Sequence, residues 1–190
     1  MHKYSRGYKT NFLLMDYQNE EDIITWCEII NASYEDAKYD KNTARNLLLN
    51  HPFIHENQTS FYVLNERKVA TISYGFIKEA SNVGGFFRIA VLPAFRGKKI
   101  GRKLLSYAEI EMRKRGAERI EEAIKLTRIP SLMMHFSAGY LPEKRQKERA
   151  CPRDKGKAVL LSLSGYDFVI NYITNEIYKW YLKTKEVNNS

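Results

Sequence analysis

Cysteine is scarce in this chain: Cys27 and Cys151 are the two present. Neither has a second thiol or clustered histidines nearby at zinc-ligand spacing, so no metal site is expected and both are read as reduced thiols. Long apolar runs are missing too. No stretch approaches the ~20 apolar residues that a membrane span requires. The opening "MHKYSRGYKT" is basic, but no apolar run of leader length follows it, which points to the cytoplasm. Repeats, low-complexity tracts and obvious linkers are also lacking, so residues 1–190 are read as one domain.

The chain does hold enough apolar matter for a sizeable core, with 44% hydrophobic and 13% aromatic residues. Its net charge of +9 points to an anionic partner. Nucleic acid, a phosphorylated cofactor and an acidic surface all satisfy that charge.

Periodicity orders the elements. "NFLLMD" (Asn11–Asp16) reads as a strand. Ile23, Trp26, Cys27 and Ile30 recur at helical spacing from Glu20 onward, and Ala44, Leu47 and Leu48 share a face of a helix over Thr43–Leu49. "TSFYVLN" and "KVATISYGFIK" form a hairpin pattern, and "GGFFRIAV" (Gly84–Val91) follows as a strand, with its glycines at a turn or bulge. Ile100, Leu104, Ala108 and Met112 mark a helix over about 98–115, capped by Gly116. A strand in "AERIEEAIKL" and a helix over Ser131–Ala138 come next. A strand from Tyr140, a turn at Arg153–Gly156, a strand at Ala158–Leu163 and a helix over about 167–183 complete the order. Hairpins mixed with crossover units predict an α/β (mixed α+β) sheet covered by helices.

One segment breaks local rules. "VLPAFRGKKIGRKLL" (Val91–Leu105) places Arg96, Lys98, Lys99, Arg102 and Lys103 at a helix start. Cations there oppose the helix dipole, whereas an anion would be held by it and by the unpaired N–H groups. Gly97 and Gly101 read as openings for the approach of phosphates. A solvated, incidentally charged helix start explains the same pattern.

The segment resembles the acetyl-CoA signature of the GCN5-related N-acetyltransferase (GNAT) family: a strand ending V-x-P, then R/Q-x-x-G-x-G/A opening a helix. Val91, Pro93, Arg96 and Gly101 match, and Lys99 stands where the central glycine is expected. "RIPSLMMHFSAGYLP" (Arg128–Pro142) is similar to the family's penultimate helix and following GF, here Gly139 and Tyr140. The resemblance is specific over about 84–142, and the last helix looks like an addition.

The resemblance implies a mostly antiparallel sheet splayed at its fourth and fifth strands, with coenzyme A in the wedge. It implies pairing of the coenzyme with Ile89, Ala90 and Val91, its pyrophosphate on Arg96, Gly97, Lys98, Lys99, Ile100, Gly101 and Arg102, and further contacts from Arg128 and Ser131. It implies acetyl transfer to a primary amine by direct attack in a ternary complex, with a main-chain N–H near Ile89 or Ala90 steadying the oxyanion. His135 falls where the family commonly has a tyrosine acid; a packing histidine is the alternative. No base is named. Glu35, Asp36, His55 and Glu79 are read as loop residues, and Trp26, Tyr34 and Tyr39 as possible pocket walls. The acceptor is a small-molecule or peptide amine, and the positive charge argues against a polycationic one. The protein is a monomer or homodimer. Two competing readings stand beside this one: an acyl-CoA-binding module without catalysis, and a nucleic-acid binder using the basic stretch Glu143–Lys157.

Overall fold

The computed structural model describes residues 11–35, 37–78, 80–125, 128–142 and 158–164. The expected helix over 167–183, the basic stretch 143–157, Cys151, Asp36 and Glu79 lie outside them.

Local chemistry sets the first helices. Asn19 caps α1 (Glu20–Ser33) by accepting from the Glu21 N–H, and three acids occupy its first turn, where the dipole favours them. One of these, Asp22, is buried, accepts from the Asp16 N–H and pairs with Lys68, which fixes the entry to the helix. Asp40 caps α2 (Lys41–Leu49) through the N–H groups of Asn42 and Thr43. The apolar stripes of both helices then pack on one face of the sheet.

That sheet has seven strands: β1 (Phe12–Leu14), β2 (Ile54–Leu64), β3 (Arg67–Ile77), β4 (Ala80–Val91), β5 (Arg119–Lys125), β6 (Leu141–Pro142) and β7 (Ala158–Ser164). Their order is β1-β2-β3-β4-β5-β7-β6, and among the described residues β4 and β5 are the one parallel pair. β2 begins five residues before its expected start, and β4 begins at Ala80 rather than Gly84. Gly84 and Gly85 therefore lie inside β4, not at a turn. A Cβ on Gly84 would meet Met112 Sδ at 2.6 Å, and one on Gly85 would meet Ile54 Cδ1 at 2.9 Å, so close packing explains both. Register shifts in the β3–β4 pairing fall between Ala80 and Gly84, just before the two glycines, and again as a bulge between Phe86 and Arg88.

Between β4 and β5 the chain forms a short 3₁₀ turn (Pro93–Phe95) and then α3 (Ile100–Lys114). Ile100, Leu104, Leu105, Ala108 and Met112 are all buried, as their spacing predicts. Gly116, at φ 98°, ends α3, and the bonds Gly116 N–H to Arg113 O and Ala117 N–H to Met112 O form a Schellman cap. α4 (Ile129–Ser137) packs beside α3.

Strand alternation sends the two neighbouring aromatics of β4 to opposite cores. Phe86 packs with Ile72, Tyr74, Leu104, Met112 and Phe136 under α3 and α4. Phe87 packs with Ile23, Trp26, Ile30, Leu48 and Phe61 under α1 and α2. Two adjacent large side chains thereby anchor β4 to both layers.

Candidate active site

β4 and β5 pair over three residues only, Val83–Gly85 against Arg119–Glu121. Beyond that point they part, although β4 continues to Val91 and β5 to Lys125. The wedge this opens leaves a polar main-chain edge on β4. The Leu92 N–H donates to Val69 O, so by strand alternation Ala90 also turns its N–H and C=O toward β3. The edge facing the wedge thus belongs to Ile89 and Val91. Tyr34 Oη donates to Ile89 O at 2.5 Å, and Ser33 Oγ to Val91 O at 3.1 Å. Arg96 Nε also donates to Val91 O (3.3 Å) and its Nη2 to Ser33 O (3.1 Å), tying the end of α1 to the end of β4.

The turn into α3 is built on unusual backbone. Gly97 has φ 77° and Lys99 φ 58°, both in the left-handed region. A glycine avoids the cost there, which rationalises the glycine expected at Lys99's position. No side chain caps the first turn of α3, and Arg96, Gly97, Lys98, Lys99 and Arg102 are exposed around its N-terminus. Ile100 is buried, so only its main chain faces that turn. A Cβ on Gly101 would meet Met134 Sδ at 2.8 Å, so its missing side chain makes room for α4. Lys103 leaves the cluster to donate to Tyr62 Oη at 3.2 Å.

At the apex of the wedge sits a group that sequence reasoning missed. Glu122, the first β5 residue beyond the paired stretch, is hydrogen-bonded by the Phe86 main-chain N–H. Burial pushes its carboxyl up to about 8, against the opposing effects of the Arg88 guanidinium and that N–H. The tandem glutamates of "RIEEAIK" were the available signal, and strand periodicity absorbed them. Arg88, also missed, is half-buried on β4 beside Glu122. Its Nη2 donates to Tyr39 Oη, and its guanidinium lies 5.6 Å from the Tyr39 ring centroid. Arg128 stacks over the Tyr34 ring at 4.2 Å. Tyr34 and Tyr39 therefore do line the wedge mouth, whereas Trp26 is fully buried core. Glu35 is exposed beyond the end of α1. His55 is on β2 rather than a loop, tilted toward Phe76.

His135 is 1% exposed, with its ring against Phe86 and Tyr140. Its Nδ1 lies 2.8 Å from Ser131 O, an atom that only accepts, so the ring proton sits on Nδ1 and Nε2 is bare. Nε2 is buried with no partner among the described residues. Burial pushes the ring down to about 4, with the Ser131 carbonyl opposing, so it is neutral at pH 7. Among the described residues no cluster of histidine, cysteine, aspartate or glutamate has the makings of a metal site, and no helix is long and apolar enough to cross a membrane.

A strand parted from its parallel neighbour over a glycine-containing helix start is a distinctive arrangement, and known proteins share it. The model of the acetyltransferase (GNAT) family matches residues 23–140, more than half the chain. The chain belongs to the GNAT acetyltransferase family. It is 30% identical over 117 residues to the aminoalkylphosphonate N-acetyltransferase of Salmonella typhimurium, covering 60% of this chain and 73% of that one. The fold is also that of the ribosomal-protein-S18-alanine N-acetyltransferase from Escherichia coli (TM-score 0.62, 15% identity, 85% of this chain and 98% of that one). The PaiA N-acetyltransferase from Thermoplasma acidophilum, solved with coenzyme A, is similar as well (TM-score 0.60, 16% identity, 81% and 99%). This GNAT chain is thus an acyltransferase of a family that uses acetyl-CoA.

Proposed function

We propose that this single domain transfers an acetyl group from acetyl-CoA to a primary amine by direct attack, with Glu122 as general base. The observation that carries the reading is the carboxyl placed where β4 and β5 part. The residues present fit the coenzyme. Ile89 and Val91 offer their main-chain N–H groups on a strand edge parted from β5, their carbonyls being held by Tyr34, Ser33 and Arg96; the uncapped start of α3 offers further N–H groups, and Arg96, Lys98, Lys99 and Arg102 surround it with positive charge. Arg128 and Ser131, at the start of α4, flank the same wedge mouth. When bound, the coenzyme supplies a thioester carbonyl as the acyl donor.

The chain's own residues do the rest. The Glu122 carboxylate takes a proton from the acceptor's ammonium, freeing the nitrogen lone pair. With the coenzyme bound, the N–C bond would form and the C–S bond break, the sulfur leaving with the bonding pair and taking up the proton that the new amide nitrogen sheds. The Ile89 N–H, on the open edge of β4, is the donor for the developing oxyanion. His135 takes the packing role in this reading rather than the acid role implied by the resemblance. Its one proton is held by Ser131 O, and the ring is sealed in the core. Arg88 beside the base lowers its carboxyl from the value that burial alone would set, keeping the base form accessible near pH 8. We place the activity in the cytoplasm, on a monomer or homodimer.

The test is Glu122→Gln. Free-thiol release over an amine panel should fall ~10²–10⁴-fold in kcat/KM, while calorimetric acetyl-CoA affinity stays within about twofold. In the wild type, kcat/KM should climb with pH and level off above about 8. Full activity in the variant removes Glu122 from the reaction.

A further inference from the structure

Arg88 has a feature the reaction does not use. Its guanidinium is half-buried, yet among the described residues it enters no ion pair. What holds it is neutral: the Tyr39 hydroxyl and the Tyr39 ring face. Withdrawing a cation from water without a counter-charge is unfavourable, and packing alone would be met at lower cost by an apolar side chain. The neighbouring charges do not compensate it. Lys78 is near enough to act on the same side chain, His51, as Arg88 does, and Arg128 stands at the wedge mouth over Tyr34. His51 itself stays neutral, since its Nδ1 accepts from the Phe53 and Ile54 N–H groups at 3.3 and 3.1 Å. Glu122 is the one acidic group that acts on Arg88 from across the wedge, and it is not within ion-pair distance.

Resting on the assignment of the wedge as the transfer site, we propose that Arg88 anchors an oxyanion carried by the acceptor, making the substrate class short aminoalkyl oxyanions. Glu122 lies level with Phe86 across the wedge, and the bulge between Phe86 and Arg88 brings Arg88 nearer to that level than two regular strand positions would. That spacing suits an amine and an oxyanion joined by a short carbon chain. Guanidinium offers paired N–H donors to a carboxylate or phosphonate, and the Tyr39 contact fixes its plane before the ligand arrives. The anion replaces the missing counter-charge, and the amine is delivered to the base. The Salmonella relative is named for an aminoalkylphosphonate, a compound of this class, and in this chain the assignment rests on Arg88 itself.

The experiment uses the full chain with 2-aminoethylphosphonate, β-alanine and propylamine at saturating acetyl-CoA. The ratio of kcat/KM for each oxyanion amine to that for propylamine should exceed about tenfold in the wild type. It should collapse toward one in Arg88→Met and be partly kept in Arg88→Lys. Using a ratio cancels any general loss of activity or folding. The phosphonate and carboxylate arms tell which oxyanion the site takes. Calorimetry of the same amines on coenzyme A-saturated protein reads the anchor without turnover. Arg88-dependent binding of the oxyanion amines in an enzyme inactive on every amine would sink the transfer reading but keep the anchor. Equal ratios in wild type and Arg88→Met, or equal binding of propylamine, would overturn the anchor.

Discussion

Three titrating side chains set how this protein responds to acid and base. His135 and His51 are both held near 4 in the fold against 6.5 when free, each chiefly by burial. Between those values the unfolded chain binds protons that the folded one does not, so their contribution is complete above 6.5 and is lost as pH falls toward 4. Glu122 acts in the opposite sense. Its proton is kept to about 8 in the fold but released near 4.5 when unfolded, so its effect is to lower stability as pH rises through that window. Thermal melts should therefore show a decline below pH 6.5 that His135→Phe reduces. The midpoint of Glu122→Gln should exceed the wild type by a margin that grows from pH 5 to pH 8.5. A constant margin would mean that the Glu122 carboxyl is solvated.

Among the elements, the turn into α3 carries backbone strain beside the N–H groups proposed to face the ligand; Glu56 on β2 and Glu66 at the β2–β3 turn carry such strain elsewhere. Lys99 adopts φ 58° where glycine would sit without cost, and Gly97 adopts φ 77° in open space. Lys99→Gly should stabilise the fold by ~0.5–1 kcal/mol after its own entropy loss. Gly97→Ala meets no steric neighbour but must hold a left-handed backbone, costing ~1–2 kcal/mol. Urea titrations of the two variants check both signs. If coenzyme phosphates lie on these N–H groups, Gly97→Ala should also weaken coenzyme A binding, whereas an equal change at exposed Ser106 should not.

At the scale of the whole molecule, the +9 charge acts at long range and the wedge at short range. On the proposed reading the exposed cations around α3 draw in the phosphates of the coenzyme, an effect screened over ~10 Å at 0.1 M salt. Coenzyme A affinity should fall several-fold between 50 and 300 mM sodium chloride, while binding of pantetheine, which lacks the phosphates, should hardly change. Identical salt slopes for the two would assign the cations to solubility alone.

Much of this was legible along the chain because it depends on local period and backbone conformation. The four-residue apolar repeat of α3, its glycine stop, the hairpin of β2 and β3, and the basic turn with its proline and glycines all follow from neighbouring residues. Gly101 shows the limit: its spacing marked it, but only the crossing of α3 and α4 reveals that Met134 fills the space its side chain would take. His135 shows it again, since its place in the repeat was readable while the bond to Ser131 O and the seal of Phe86 and Tyr140 were not. Glu122 and Arg88 sit 34 positions apart in the chain. They become neighbours because β4 and β5 run parallel for three residues and then separate, a register that no period encodes. The sequence by itself determined most of the elements and the gathering of cations at the start of α3. The tertiary structure decided which carboxyl is buried beside which guanidinium, because desolvation and charge coupling exist only once the strands are brought together.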